Sequence, residues 1–267
     1  MDLWSEFSSP MIFAHRGASI HAPENTLAAF ELAANLGADG VELDAKLTAD
    51  GHVIVFHDHI VDRTTNGSGE VAKLPFAALR DLDAGMRFSE KFRGEKIPTL
   101  DEVFEAVGKK IFINVELKNY ATPLDALVPN VVELVKKHGL EKRILFSSFF
   151  PHNLARAARL LPETPRGLLT MRGWMGWWGR AFGFRSEVYQ ALHPLLIDAS
   201  AGLVNRVHAA GKRVLVWTVN AEADLKRMIG YGVDAVITDD PALALRLLGR
   251  ASRTGTNHEA CAREAVG

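Results

Sequence analysis

The amino-acid sequence predicts an α/β fold, a single TIM (β/α)8 barrel with a small inserted subdomain. The chain has 267 residues, a length at which α/β barrels commonly form one domain. Hydrophobic residues make up 48% of the chain, which is enough for a large core. Short apolar, β-branched runs alternate with helical patterns, and this alternation is typical of a parallel sheet with helices outside it.

Nine runs have the composition of strands, one more than a barrel of eight needs. They are 11–14, 40–44, 53–57, 111–116, 143–147, 167–169, 195–198, 214–218 and 235–238. We expect that either 167–169 or 195–198 is not a full barrel strand. Helices are predicted at 25–36, 100–107, 123–138, 153–161, 201–210, 221–231 and 241–248.

Two segments interrupt the alternation. The stretch 58–98, after the third strand candidate, is rich in turn residues and predicts the inserted subdomain. The stretch 172–183 reads RGWMGWWGRAFG, and its glycines argue against a stable helix. We expect the barrel domain to span 1–249 and the polar residues 250–267 to form a disordered tail.

Composition limits the partners and the compartment. The net charge is −1, so no basic excess attracts nucleic acid. The single cysteine, Cys261, excludes a disulfide within the chain. The first ten residues do not read as a signal peptide, and no run is apolar enough to span a membrane. These features predict a cytoplasmic protein, and they leave its oligomeric state open.

Acidic residues stand at the ends of two predicted strands. Glu42 and Asp44 are two apart, so they share one face, while Val41 and Leu43 occupy the other. Glu116 ends the fourth candidate strand. Because barrel chemistry lies where the strands end, we expect these carboxylates to converge inside the barrel mouth. Three carboxylates without His or Cys ligands favour a hard cation, Mg²⁺ or Ca²⁺.

Two histidines and two cations complete this set. His15 and His57 end the first and third strand candidates, and they can take and give a proton near neutral pH. Arg16 and Lys118 can hold phosphate oxygens, although Lys118 could also be a simple salt-bridge partner of Glu116. The combination predicts metal-dependent cleavage of a phosphodiester. It does not say which histidine is the acid, or whether water or a substrate hydroxyl attacks phosphorus.

The sequence at this point resembles the glycerophosphodiester phosphodiesterase family, in its bacterial cytoplasmic type. The resemblance is specific because eight blocks follow one another in the family's order over most of 11–248. The blocks are HRG at 15–17, PENT at 23–26, GADGVELDAKLTADGHVIVFHD at 37–58, RTTNGSG at 63–69, IPTLDEV at 97–103, NVELK at 114–118, VWTVN at 216–220 and GVDAVITDDP at 232–241.

The resemblance implies hydrolysis of glycerophosphodiesters, such as glycerophosphocholine or glycerophosphoethanolamine, to glycerol 3-phosphate and an alcohol. It implies the same histidine pair, metal ligands and phosphate-binding residues, and it adds two positions. Glu24 lies near the site in the family, but here it could equally serve the start of the first helix, for which Asn25 is a plausible N-cap. Trp217 matches a pocket aromatic, although a tryptophan at a strand end is often a core residue.

The family pattern does not account for Trp174, Trp177 and Trp178. They could pack over the barrel mouth, or they could contact a lysolipid chain or a membrane. We expect at least one of the three to be substantially exposed beside the mouth. The second interpretation keeps open an alternative function, a lysophospholipase D that acts on single-chain lysophospholipids. A non-catalytic barrel would predict a lost histidine or carboxylate, and none is lost.

Overall fold

Eight parallel strands close into a barrel in the computed structural model, which describes residues 10–250. The ring closes because β1 pairs with both β2 and β9. The barrel strands are β1 (Met11–His15), β2 (Gly40–Leu47), β4 (Phe112–Leu117), β5 (Ile144–Ser148), β6 (Arg166–Thr170), β7 (Ala191–Pro194), β8 (Arg213–Val216) and β9 (Ala235–Thr238). The predicted fold class is therefore confirmed.

Two of the nine strand candidates, 53–57 and 195–198, are not barrel strands, so the prediction that 167–169 or 195–198 is not a full barrel strand is confirmed by 195–198. β3 (Val53–Val55) is a short strand that pairs antiparallel with the end of β2, so it forms a hairpin outside the ring. The run 167–169 lies within a full barrel strand, β6. The run 195–198 is not a strand, as one alternative held, because Leu196–Asp198 is a single 3₁₀ turn. The strand that precedes this turn, β7, has the sequence ALHP. It was not predicted, because a proline is uncommon within strands and the run is not β-branched.

Nine α-helices accompany the strands in the described part of the chain. They are α1 (Leu27–Leu36), α2 (Phe76–Asp81), α3 (Leu100–Val107), α4 (Leu127–His138), α5 (Pro151–Leu160), α6 (Trp174–Ala181), α7 (Ala201–Ala209), α8 (Glu222–Tyr231) and α9 (Pro241–Leu247). Capping side chains mark the first turn of several helices. At α3, Thr99 and Glu102 form a reciprocal capping box. One continuous apolar core lies between the barrel and its helices.

A second apolar cluster fills the barrel interior at the amino ends of the strands. It includes Met11, Phe13, Phe112 and Leu215, which are all buried. Side chains alternate along a strand, so Glu116 shares the inward face of β4 with Phe112. The apolar layer closes the lower end of the barrel and leaves the carboxyl end for polar groups.

The segment between β3 and α3 forms a compact addition to the barrel. It contains α2, two 3₁₀ turns and a small apolar cluster of its own that includes Phe56, Val61, Leu79 and Ile97. Residues 251–267, nearly all of the predicted tail, lie outside the described residues. Arg250 is described, and its guanidinium binds the buried carboxylate of Asp39. No helix within 10–250 is both long enough and apolar enough to cross a bilayer.

Candidate active site

The three predicted carboxylates meet at the carboxyl end of the barrel. Glu42 and Asp44 lie on β2, and Glu116 lies on the adjacent β4 directly opposite Asp44 in the strand register. All three are buried, and one oxygen from each lies within 4.8 Å of the others. Uncompensated carboxylates at this spacing repel one another strongly. Three buried carboxylate side chains can each offer one oxygen ligand here. Such a set of donors fits a divalent cation that prefers oxygen.

Neighbouring side chains orient these carboxylates. Asn25 donates its amide to Asp44 at 2.9 Å, and Lys118 Nζ donates to the other oxygen of Asp44 at 3.0 Å. The hydroxyl of Tyr120 donates to Glu116 at 2.5 Å. Contacts of this kind hold each carboxylate in one rotamer, which prepares the oxygens for a shared ligand.

The pKa values of the three carboxyls shift in different directions. Burial, reinforced by the charge of Asp44, raises the pKa of Glu42 to about 8. Burial also raises the pKa of Glu116, although Lys118 opposes this. Burial acts on Asp44 in the same sense, but Lys118 and Arg16 outweigh it and lower the pKa of that carboxyl. The neighbouring cations thus favour the charged form of Asp44, burial disfavours the charged forms of Glu42 and Glu116, and a bound cation would favour the charged form of all three.

Each predicted histidine is paired with an aspartate through the same ring nitrogen. Nδ1 of His15 lies 2.6 Å from Oδ1 of Asp239, and Nδ1 of His57 lies 2.6 Å from Oδ1 of Asp58. A carboxylate only accepts, so Nδ1–H donates in both pairs. This leaves Nε2 of each ring for the pocket, and Nε2 of His15 lies 3.9 Å from Glu42. Both histidines line the same pocket beside the cluster.

The two histidines differ in their surroundings. Burial would lower the pKa of His15, but the hydrogen bond to Asp239 and the charge of Glu42 outweigh it and raise that pKa. Burial lowers the pKa of His57, and the nearby charges of Lys118 and Arg16 act in the same direction.

Glu24 connects Arg16 to the inserted segment. Its Oε1 accepts from Arg16 Nη1 at 2.9 Å, and its two oxygens also accept from Arg63. Arg63 in turn donates Nε to Asp58 at 2.6 Å, so a chain of ion pairs runs from Arg16 to the partner of His57. Glu24 therefore contacts a predicted phosphate-binding residue, and its role in the site stays a prediction.

Backbone conformation places Arg16 at this position. Arg16 and Gly17 both have positive φ, of 56° and 84°. A Cβ at Gly17 would lie 2.6 Å from the Cβ of Ala29, so only glycine allows the chain to turn this close to α1. The turn points the backbone N–H of Arg16 at Glu42, at 3.2 Å.

The proposed N-cap at Asn25 is wrong. Thr26 is the N-cap of α1, because its hydroxyl accepts from the backbone of Ala29. Asn25 instead adopts a positive φ of 58° and turns its side chain to Asp44. Asparagine tolerates this backbone region better than most residues, which explains how it can leave the helix start and serve the carboxylate cluster.

A pocket of about 660 Å³ opens above these groups. Both histidines, Arg16, Lys118, Glu42 and Glu116 line it on one side, and apolar side chains line the other. Trp217 agrees with both interpretations given for it. Its ring borders the pocket and also packs on the apolar cluster inside the barrel. Its Nε1 donates to the His193 carbonyl at 2.9 Å.

The tryptophan-rich segment forms part of the apolar wall. It is a helix, α6, so the expectation that its glycines prevent a stable helix is wrong. Gly176 and Gly179 are buried against the end of β6, so the glycines serve close packing and do not break the helix. The predicted exposure is confirmed: 75% of Trp174, 48% of Trp177 and 45% of Trp178 is accessible. Trp174 and Trp178 line the pocket.

Three residues of the site escaped the sequence prediction. They are Asp239, Asp58 and Arg63. A signal was present, because each aspartate follows an apolar strand run at the barrel mouth, where polar residues are informative. The pairing of Asp239 with His15 joins residues 224 positions apart, and periodicity gives no information about such a contact.

Comparisons with known proteins agree with this geometry. The model of the glycerophosphoryl diester phosphodiesterase family matches residues 15–243. A glycerophosphodiester phosphodiesterase of Caldanaerobacter subterraneus is 42% identical over 239 residues, which cover 89% of this chain and 97% of the relative. One from Bacillus altitudinis is 35% identical over 246 residues, covering 88% of this chain and 97% of the relative.

Solved structures give the same answer. A phosphodiesterase of Oleispira antarctica, determined with its product sn-glycerol-3-phosphate, has a TM-score of 0.85 at 34% identity and covers 93% of this chain and 100% of its own. A glycerophosphodiester phosphodiesterase of Thermotoga maritima has a TM-score of 0.72 at 28% identity, with 91% and 100% covered. The chain therefore belongs to the glycerophosphoryl diester phosphodiesterase family and is a phosphodiesterase that hydrolyses glycerophosphodiesters.

Proposed function

We propose that the chain cleaves glycerophosphodiesters to glycerol 3-phosphate and an alcohol with a divalent metal and two histidines. One observation carries the proposal. His15 and His57 each have Nδ1 occupied by an aspartate, and both residues line the pocket beside the three buried carboxylates. General acid–base chemistry on a phosphodiester needs two such proton carriers flanking one phosphorus.

Glu42, Asp44 and Glu116 would hold the metal, because they are the group of buried acidic side chains in 10–250 whose oxygens converge. When bound, the cation would neutralise the charge of the phosphate oxygens and polarise the phosphorus toward attack. Oxygen ligands suit Mg²⁺ and Ca²⁺ alike, so both are candidates.

The protein's own residues would do the rest. Arg16 and Lys118 would hold the nonbridging oxygens of the phosphate, in exchange for part of their present pairing with Asp44. One histidine would take the proton of the attacking oxygen as the new P–O bond forms. The other would give its proton to the leaving alkoxide as the old P–O bond breaks. The attacking oxygen comes from water, or from a glycerol hydroxyl through a cyclic phosphate that water then opens.

The relatives support this choice of substrate. Three of those described above are named as glycerophosphodiester phosphodiesterases, and the Oleispira enzyme holds sn-glycerol-3-phosphate as its product. The polar half of the pocket has the charge that a phosphate requires, with Arg16 and Lys118 beside it. The alcohol would extend toward the apolar half.

A metal-stripped assay tests the proposal. The chelated protein is expected to be inactive on glycerophosphocholine and glycerophosphoethanolamine, and Mg²⁺, Ca²⁺ or Mn²⁺ added one at a time should restore turnover. Glu42→Gln should stay inactive with every metal. Glu105→Gln, which changes an exposed glutamate on α3, is the matched control and should behave as the parent. Full activity of the chelated protein would refute the proposal.

A second candidate function is lysophospholipase D activity on single-chain lysophospholipids. With either function we propose that the protein is cytoplasmic. The apolar half of the pocket favours the second function, since Phe150, Leu168, Met175 and Trp178 exceed what a polar diester needs. Choline release from lysophosphatidylcholines of increasing chain length is the test. Burial of each added methylene should raise kcat/KM by up to about fourfold. A rate independent of chain length would leave only the first function.

A further inference from the structure

Exposed apolar side chains gather on and beside α6, and only some of them border the pocket in which the proposed chemistry takes place. We define the α6 patch as Met171, Trp174, Met175, Trp177, Trp178 and Phe182. These are six of the twelve exposed large hydrophobic residues in 10–250, and they fall within twelve consecutive positions. At roughly 200 Å² for each side chain, their exposed fractions amount to on the order of 700 Å². A patch of this size is larger than soluble monomers ordinarily expose, and it indicates a binding surface.

The fold holds this patch outward. A Cβ at Gly176 would lie 1.6 Å from the carbonyl oxygen of Met171, and one at Gly179 would lie 2.7 Å from Thr170. The glycine face of α6 is thus pressed against β6, so the large side chains can only project away. Arg180 fastens the helix by an ion pair with Asp198 at 3.1 Å. The rings also order one another, since Trp174 and Trp177 stack with centroids 5.0 Å apart.

The patch has two sides with different exposure to the catalytic pocket. Trp174, Met175 and Trp178 border the pocket, and a substrate could cover them. Trp177 and Phe182 are not part of the pocket lining, yet 48% and 53% of their surfaces are accessible. A substrate in the pocket therefore does not account for them, and a second apolar partner is needed.

The kind of partner follows from the position and the charge of the patch. A protein seated on it, or a second copy of the chain, would close the pocket mouth that the patch borders. A fluid lipid surface would instead leave the mouth accessible to substrates that lie in the bilayer. No acidic residue occurs between Glu163 and Glu187, and Arg172 and Arg185 are exposed at the two ends of the patch. Tryptophans flanked by arginines are typical of segments that lie at an anionic membrane interface.

We propose that the α6 patch docks the protein on the surface of an anionic phospholipid bilayer, with the pocket mouth toward the headgroups. Trp177 and Phe182 enter the interfacial layer, and Arg172 and Arg185 meet the lipid phosphates. The docking does not depend on which diester is hydrolysed, so it goes beyond the proposed function. It provides this family member with direct access to amphiphilic diesters that are released at the membrane.

Vesicle co-sedimentation of the full chain tests the docking. The probes are vesicles of phosphatidylcholine alone and of equimolar phosphatidylcholine and phosphatidylglycerol. The parent protein should sediment with the anionic vesicles and only weakly with the neutral ones. The double variant Trp177→Ser/Phe182→Ser should lose about tenfold or more of its partition coefficient. The matched control, Phe88→Ser/Leu160→Ser, removes two exposed apolar side chains elsewhere and should bind as the parent.

Soluble substrate separates this inference from the proposed function. Turnover of glycerophosphocholine without vesicles should be unchanged in the Trp177→Ser/Phe182→Ser variant, which also verifies its folding. Equal sedimentation of parent and variant, or no sedimentation of either, would overturn the docking proposal whatever the activity. A parent that is dimeric by light scattering, with a monomeric variant, would also overturn it, because the patch would then be a self-interface. Loss of turnover in both proteins would instead count against the proposed function.

Discussion

Replacing Asp239 with Asn tests whether His15 depends on its aspartate partner. The substitution preserves size and removes the charge 2.6 Å from Nδ1 of His15. A hydrogen bond to a charged group contributes about 1.5–3 kcal/mol. If this stabilisation applies to the protonated ring in the transition state, kcat should fall about 10- to 100-fold. KM should change little, because Asp239 does not border the pocket.

The assay is steady-state turnover of glycerophosphocholine under saturating metal. Asp240→Asn is the matched control at the adjacent position. Asp240 caps α9 by accepting from the backbone of Leu243 and contacts the half-exposed ring of His21. Asn is an equally good N-cap, so this control should retain both stability and turnover. If Asp239→Asn also stays within about twofold of the parent, the histidine acts without its aspartate and the two-dyad interpretation is wrong.

Three further outcomes follow from the same geometry. His15→Ala and His57→Ala should each lower turnover by about 10²- to 10⁴-fold while metal binding measured by calorimetry survives; near-normal turnover would remove that histidine from the mechanism. Gly167→Ala should lower the free energy of unfolding by about 1–3 kcal/mol in urea titrations, because the new Cβ would lie 2.1 Å from the ring of His193; an unchanged midpoint would contradict the close packing. Asp58 is partly buried, but its hydrogen bonds from an arginine and from His57 outweigh burial and lower its pKa to about 2. Its stabilisation is complete above the unfolded-state pKa near 4 and is lost as pH falls toward 2, so Asp58→Asn should lower the melting temperature at pH 7 but not at pH 2.

The barrel and its carboxylate cluster could be predicted from the sequence because both depend on short-range periodicity. Alternation along β2 puts Glu42 and Asp44 on one face, and strand order brings Glu116 to the same edge. The position of β3 outside the barrel could not be predicted, because composition cannot distinguish a parallel barrel strand from a hairpin partner.

The residues that escaped prediction depend on tertiary contacts. Asn25 carries the local signature of an N-cap, and only the turn at Arg16 and Gly17 brings it to Asp44. The conformation of α6 was missed for a related reason. Glycines weaken an isolated helix, but at Gly176 and Gly179 their small size permits packing on β6, and this packing outweighs the propensity.

The central claim is that three carboxylates hold a catalytic metal between the two histidines. A crystal of the protein grown with Mn²⁺ and measured for anomalous scattering tests it most directly. We expect one strong peak within about 2.0–2.6 Å of oxygens from Glu42, Asp44 and Glu116, beside the pocket that both histidines line. An active protein whose metal peak lies elsewhere, or that shows no peak at these carboxylates, would contradict the account.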